Sequence, residues 1–319
     1  RTSLETPVII DLPDTTVSQV AKQLVKVREE GGAVALGRVL TLVISARNGV
    51  AEAAIDAAND ASREHPMRVI VLTTGDGESR LDAQIRVGGD AGASEVVVLR
   101  AFGEAASNEE SLVTGLLLPD APVVAWWPED APASPAASPL GRIAQRRITD
   151  AATASDVRAR LASLGETHAP GDTDLAWTRL THWREQLAAV LDQPPYDAVT
   201  EVEVIGSGSS PSTGLLAAWL CLMLDVPVNW QYAPREEWEH GIRSVRLKRP
   251  SGDVLLERTS TVDATLTQPG QPSHDLVLPR RTLRECLAEE LRRLGPDVLY
   301  GRVITDGWAQ LHRSPAGDA

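Results

Sequence analysis

Arg38-Val-Leu-Thr-Leu-Val-Ile44 is an apolar run rich in β-branched residues, the composition of a strand buried on both faces. Two runs of the same kind follow, Arg68-Val-Ile-Val-Leu72 and Glu95-Val-Val-Val-Leu99, and Pro122-Val-Val-Ala-Trp126 closes the series. Helical stretches lie between them: an Ala-rich segment over residues 49–64 and another near 104–117. Ahead of the first run a helix opens after Pro13-Asp14-Thr15, where Asp14 or Thr15 can cap it. Val17, Val20, Ala21, Leu24 and Val27 then recur at helical spacing until Gly31-Gly32. Apolar strands alternating with helices predict a largely parallel sheet with helices on both faces. Residues 81–87 (LDAQIRV) alternate instead, the pattern of a half-exposed strand.

Downstream, Pro128 to Pro139 (PEDAPASPAASP) reads as a loop, followed by short helices near 140–146 and 155–164. GETHAPGD (165–172) reads as a linker. Asp172 or Thr173 can cap a longer helix, roughly 174–191, which Asp192-Gln-Pro-Pro195 ends. A strand at Glu201 to Ile205, a Gly/Ser loop and a helix over about 212–224 come next. Ile242 to Lys248 and Val254 to Arg258 flank the turn Pro250-Ser-Gly-Asp253 as a hairpin, and Thr261 to Thr267 reads as a third strand. The last strong helix, Arg281 to Leu294, stacks Leu283, Leu287, Leu291 and Leu294 on one face. The expected fold is α/β: a Rossmann-like three-layer domain with a mostly parallel sheet over residues 1–170, then a smaller α/β domain containing antiparallel strands over 171–319, its tail fraying from about residue 312.

The 319 residues carry a net charge of −13, of which −7 falls at or before residue 150 and −6 after it. Acidity spread along both halves repels DNA, RNA and anionic lipid, so neither nucleic acid nor membrane is an expected partner. Two cysteines, Cys221 and Cys286, exclude a disulfide framework and a Cys-based structural zinc site. The longest apolar run, Leu215 to Leu224, spans 10 residues, half of the ~20 that cross a bilayer. No basic stretch followed by an apolar core marks a secretion signal near the start, and a cytoplasmic location is expected. Of 12 aromatic residues, 8 are Trp.

Chemistry-bearing motifs are sparse. Gly206-Ser-Gly208-Ser-Ser-Pro-Ser-Thr-Gly214 lies between a strand and a helix, a context that suits phosphate. Its glycine spacing matches neither a dinucleotide fingerprint nor a P-loop, and the plainer reading is a capping turn. The six histidines (65, 168, 182, 240, 274 and 312) form no pair at metal-binding helical spacing, and no Gly-x-Ser-x-Gly elbow occurs. No cofactor, metal or catalytic group is therefore expected. Cys286 is the place where a redox switch would be sought, with arginines at 280 and 284, but it shares the apolar face of its helix with Leu283 and Leu287 and reads as core. Trp126-Trp127 ends a strand, so one ring is expected in the core and the other toward the rim, with both in the core as the alternative. Trp177 and Trp183, six apart on one expected helix, point to opposite faces and call for two packing surfaces.

Longer stretches resemble one family. Ile10-Asp-Leu-Pro-Asp-Thr-Thr16, Ser79-Arg-Leu-Asp-Ala-Gln84, Leu118-Pro-Asp-x-Pro-Val-Val-Ala-Trp-Trp-Pro128, Gly171-Asp-Thr-Asp-Leu-Ala-Trp177 and Arg284-Glu-Cys-Leu-Ala-Glu-Glu-Leu-Arg-Arg293 are similar to the glucose-6-phosphate dehydrogenase assembly proteins, the OpcA family. The resemblance covers roughly residues 9–192 and 280–300 and leaves 200–275 unmatched. It implies a non-catalytic cytoplasmic protein that binds glucose-6-phosphate dehydrogenase, promotes its active oligomer and raises activity in the oxidative pentose phosphate pathway. Trp127, Arg86, Trp177 and Trp183 are then the interface candidates, since Trp and Arg anchor protein contacts. The reading from another class is a sugar-phosphate- or nucleotide-binding enzyme or sensor that uses the Gly206–Gly214 loop.

Overall fold

A computed structural model describes residues 8–30, 38–47, 49–88, 95–194, 196–234, 238 and 241–313. The chain forms two units, one of Arg1–Asp150 with Leu283–Pro296 and one of Ala151–Thr282 with Asp297–Ala319. In chain order the first carries β1 (Val8–Leu12), α1 (Val17–Glu30), β2 (Leu40–Ser45), α2 (Ala51–Ser62), β3 (Met67–Gly75), β4 (Arg80–Val87), β5 (Glu95–Phe102), α3 (Glu109–Thr114), β6 (Val123–Trp126), α4 (Pro139–Ile143) and β7 (Arg146–Thr149). The second carries α5 (Val157–Thr167), β8 (Asp172–Asp174), α6 (Leu175–Thr178), α7 (Thr181–Leu191), β9 (Glu201–Ser207), α8 (Pro211–Leu224), β10 (Val228–Ala233), β11 (Ile242–Lys248), β12 (Val254–Arg258), β13 (Asp263–Thr267) and β14 (His274–Val277). The chain then returns to the first unit for α9 (Leu283–Arg292). It finishes in the second with α10 (Val298–Arg302), a π-helical turn (Val303–Gly307) and α11 (Trp308–Arg313).

In the first unit the strands lie in the order β1-β4-β5-β3-β2-β6-β7. From β5 to β7 they run parallel, with Val43 beside Ile70 and Ile70 beside Val97. The middle strands are buried on both faces, as their continuous apolar runs require. Strand β4 alternates buried and half-buried residues and pairs antiparallel with β5 and β1, so the change of pattern at residues 81–87 marks where the sheet changes direction. Val20 and Leu24 of α1 and Leu112 and Val113 of α3 join one apolar cluster with the sheet, while α2 packs against α9.

The second sheet has the order β10-β9-β11-β12-β13-β14. Only β10 and β9 are parallel, and the hairpin expected around Pro250 is the β11–β12 pair. Helix α8 is apolar all round and buried from Pro211 to Cys221, the pattern of a helix enclosed on every side. It packs on β9 and β10, on α5 and α6, and on the π turn and α11.

Several local expectations change. Thr16 caps α1: its Oγ1 accepts from Gln19 N–H, and Gln19 Oε1 accepts from Thr16 N–H, a reciprocal capping box. The stretch 104–117 holds a short 3-10 turn and the six-residue α3, not one long helix. Residues 165–172 are no linker, because α5 runs through Thr167 and Asp172 to Asp174 are buried. The two units change over at Asp150, and Val157, Leu161 and Leu164 of α5 belong to the second unit's core. The helix expected over 174–191 breaks at Arg179-Leu180 into α6 and α7. The Gly31-Gly32 stop and the last six residues lie outside the described residues, and α11 runs through Arg313.

Candidate functional site

The expected interface residues sit in different settings. Trp126 and Trp127 are both buried, at 0% and 4% exposure, so neither reaches the rim. Backbone pairing carries on past β6, with Trp127 N–H donating to Ile148 carbonyl, and the Trp127 ring joins the cluster that holds Leu140 and Ala144. Trp177 is buried, donates from Nε1 to Asp297 Oδ2 at 2.9 Å, and lies beneath the Arg184 guanidinium at 3.8 Å. Trp183 is buried under Arg258, 5.6 Å above its ring. Because the helix breaks between these two Trp, their separation in sequence does not set opposite faces of one cylinder. Arg86 alone of the four keeps part of its side chain at the surface, where both terminal nitrogens meet Glu52 at 2.7 and 2.8 Å. That pairing holds the Glu52 carboxyl below its usual range. Cys221 and Cys286 are both buried, and burial pushes the Cys221 thiol up, away from the reactive thiolate.

The Gly206–Gly214 loop explains itself largely by packing. A Cβ on Gly206 would lie 2.5 Å from Thr213 Oγ1 and 2.9 Å from the Gly241 carbonyl, and one on Gly214 would lie 2.9 Å from the Trp308 ring. Gly206→Ala is accordingly expected to cost about 1–3 kcal/mol through overpacking. A chemical-denaturation curve would read the loss, and an unchanged midpoint would refute the packing account. The glycines are spacers; the serines between them face a cavity.

That cavity, of about 480 Å³, opens at the N-terminal end of α8. Ser209, Ser210 and Ser212 line it, together with Arg179 and Leu180 from the α6–α7 break, Trp183 from α7, Ile242 from β11, Arg258 from the end of β12, and Pro279-Arg280-Arg281. Four guanidinium groups thus converge in a chain of net charge −13, and no acidic residue is among the described lining residues. Backbone carbonyls hold two of them from behind: Arg258 Nη1 donates to Thr261 and Leu278, and Arg281 Nη1 to Thr178 at 2.8 Å. Arg280 lies 5.9 Å over the Trp238 ring. Arg258 is only 5% exposed and makes no ion pair among the described residues. Burial, aided by the charge of Arg280, lowers its pKa to about 10, so it remains a cation at neutral pH. The described wall of the cavity offers cations and hydroxyls. The serines were visible in the sequence, but the arginines come from separate segments whose meeting no spacing signals.

Comparison with known proteins settles the family. Residues 58–166 match the glucose-6-phosphate dehydrogenase subunit N-terminal domain, and residues 170–304 match the C-terminal domain of the same subunit. The chain belongs to the OpcA family. The two matches together take in most of this OpcA-family chain, including the 200–275 stretch left out of the resemblance above. No curated protein matches it. Among solved structures, an oxidoreductase from Sinorhizobium meliloti aligns at 12% identity over 86% of this chain and 97% of its own, with a TM-score of 0.48. An oxidoreductase from Thermotoga maritima aligns at 11% identity over 88% and 98%, with a TM-score of 0.42.

Proposed function

We propose that this chain is a non-catalytic assembly factor and allosteric activator of glucose-6-phosphate dehydrogenase, acting in the cytoplasm on the oxidative pentose phosphate pathway. The observation that carries the reading is the pair of family matches, which run in order through both units. Among the described residues no helix is long and apolar enough to cross a membrane. An activator of this kind must bind the active oligomer of the dehydrogenase better than the inactive form. A preference of about 1–3 kcal/mol gives roughly 5–150-fold activation, and a stable contact buries at least ~1,200 Å² in total.

Of the four proposed anchors, Arg86 is the one with side-chain surface to offer a partner. It sits opposite Ile9 in the β1–β4 ladder, Ile9 is 56% exposed, and β1 ends the strand order of its sheet. An exposed apolar residue beside an Arg at a sheet edge is a workable docking patch. Trp127, Trp177 and Trp183 serve in this reading as internal supports of the surfaces above them. The test is co-purification with the dehydrogenase and assay of its activity with and without this chain. No complex and unchanged kinetics would overturn the proposal. Arg86→Ala is expected to weaken binding by about 30-fold or more, the effect of losing a hot spot. Its cost in stability should stay within about 1 kcal/mol, because Glu52 lies in solvent. Unaltered affinity would move the interface elsewhere.

A further inference from the structure

Arg258 presents a physical problem that the assembly role does not solve. A guanidinium that is 5% exposed and, among the described residues, has no carboxylate partner is costly to bury, and here it lines a cavity shared with three more arginines. The same cavity receives the N-terminal turn of α8, a 14-residue helix whose dipole favours an anion. Pro211 carries no N–H and Thr213 N–H donates to the Ser210 carbonyl, so the dipole and the Ser212 N–H are what this end offers. Ser210 occupies the N-cap position without making a side-chain cap bond, whereas Ser212 Oγ donates to the Ala176 carbonyl and Ser209 Oγ pairs with Ser207 Oγ. The arginines, the helix dipole and the Ser210 hydroxyl lower the free energy of a negative charge at one place. The charge they suit is a multiply charged group with several acceptor oxygens, which planar guanidinium forks and hydroxyls can share. A volume of about 480 Å³ exceeds the needs of an inorganic ion and falls in the range of small-molecule sites. Leu180, Trp183 and Ile242 give the remaining wall an apolar character suited to a carbon skeleton.

We propose that the cavity between the head of α8, Arg258 and Arg280-Arg281 binds a small organic phosphate monoester, with the phosphate held by Arg258 and the α8 N-terminus and the organic part against Trp183. The site would make this chain a ligand-binding protein in its own right, whatever its partner.

The test is isothermal titration of the full chain with glucose 6-phosphate, 6-phosphogluconate, inorganic phosphate, citrate and glucose. The expected result is saturable one-to-one binding of a phosphate ester, weaker binding of inorganic phosphate, and none of glucose. Arg258→Met should weaken that binding at least about tenfold, the loss of a charge-assisted contact, and a melting curve of the ligand-free variant reads separately the cost of depriving the Thr261 and Leu278 carbonyls of this donor. Ser209→Asp, at an exposed position, should also weaken binding by placing a carboxylate at the mouth. Three outcomes would overturn the proposal: no binding of any phosphate ester, equal binding of glucose or tighter binding of citrate, or affinity unchanged in both variants.

Discussion

Replacing Arg146 with alanine is expected to lower the unfolding free energy of the first unit by about 3–5 kcal/mol, the cost of breaking a buried ion pair from one side. Arg146 begins β7 and is 3% exposed, and Glu290 on α9 is 5% exposed. Arg146 Nε lies 3.0 Å from Glu290 Oε2, Nη2 donates to the same oxygen, and Nη1 donates to the Gly295 carbonyl at 2.6 Å. Alanine removes all three donors at once and deprives a buried carboxylate of this counter-charge. The double variant Arg146→Met/Glu290→Leu should recover much of the loss, since apolar pairs of similar volume replace buried ion pairs at little cost. Urea titrations of the three proteins read the difference. A single-variant loss below about 1 kcal/mol, the worth of a surface pair, would show that α9 is held by its apolar face alone.

Trp177→Ala carries the second large effect, an expected loss of about 3–5 kcal/mol for emptying a core Trp site. The more informative change is Trp177→Phe. It keeps most of the ring volume while breaking the Nε1–H bond to Asp297, and bonds to charged groups contribute about 1.5–3 kcal/mol. It also alters the face on which the Arg184 guanidinium lies. Asp297 accepts from Tyr300 N–H as the cap of α10, so this one carboxylate ties α6 to the start of the C-terminal helices. Activation of the dehydrogenase, measured per folded molecule, should be unchanged in Trp177→Phe. A variant that folds normally but fails to activate would instead place Trp177 in the interface.

The central strands of the first sheet were readable because burial on both faces demands an unbroken apolar run, and β2, β3 and β5 supply one. Strand β7 was not, because Arg146-Arg-Ile-Thr149 is polar in sequence, and its arginines are buried against Glu290 and backbone carbonyls that lie far from them in sequence or in loops. Strand β8 was hidden for a related reason. Its Asp172 and Asp174 are buried because they accept from the N–H groups of Ala169, Ala151 and Ala176, work that a composition rule assigns to loops. The break at Arg179-Leu180 also left no mark in the helical pattern. The candidate site divides in the same way. Its Ser-rich loop could be seen in one dimension, whereas Arg179, Arg258, Arg280 and Arg281 become neighbours only once α7, β12 and the segment after β14 are in place.

The late return of the chain to the first unit, as α9, bears on how the protein is made. A ribosome adds about 5–20 residues per second, so α9 emerges roughly 7–30 s after β7. During that interval the growing chain holds a nearly finished sheet whose α2 face and Arg146 still wait for Leu287, Leu291 and Glu290. The first unit therefore cannot mature ahead of the second, because its last helix is synthesised only after nearly all of the second unit's sheet.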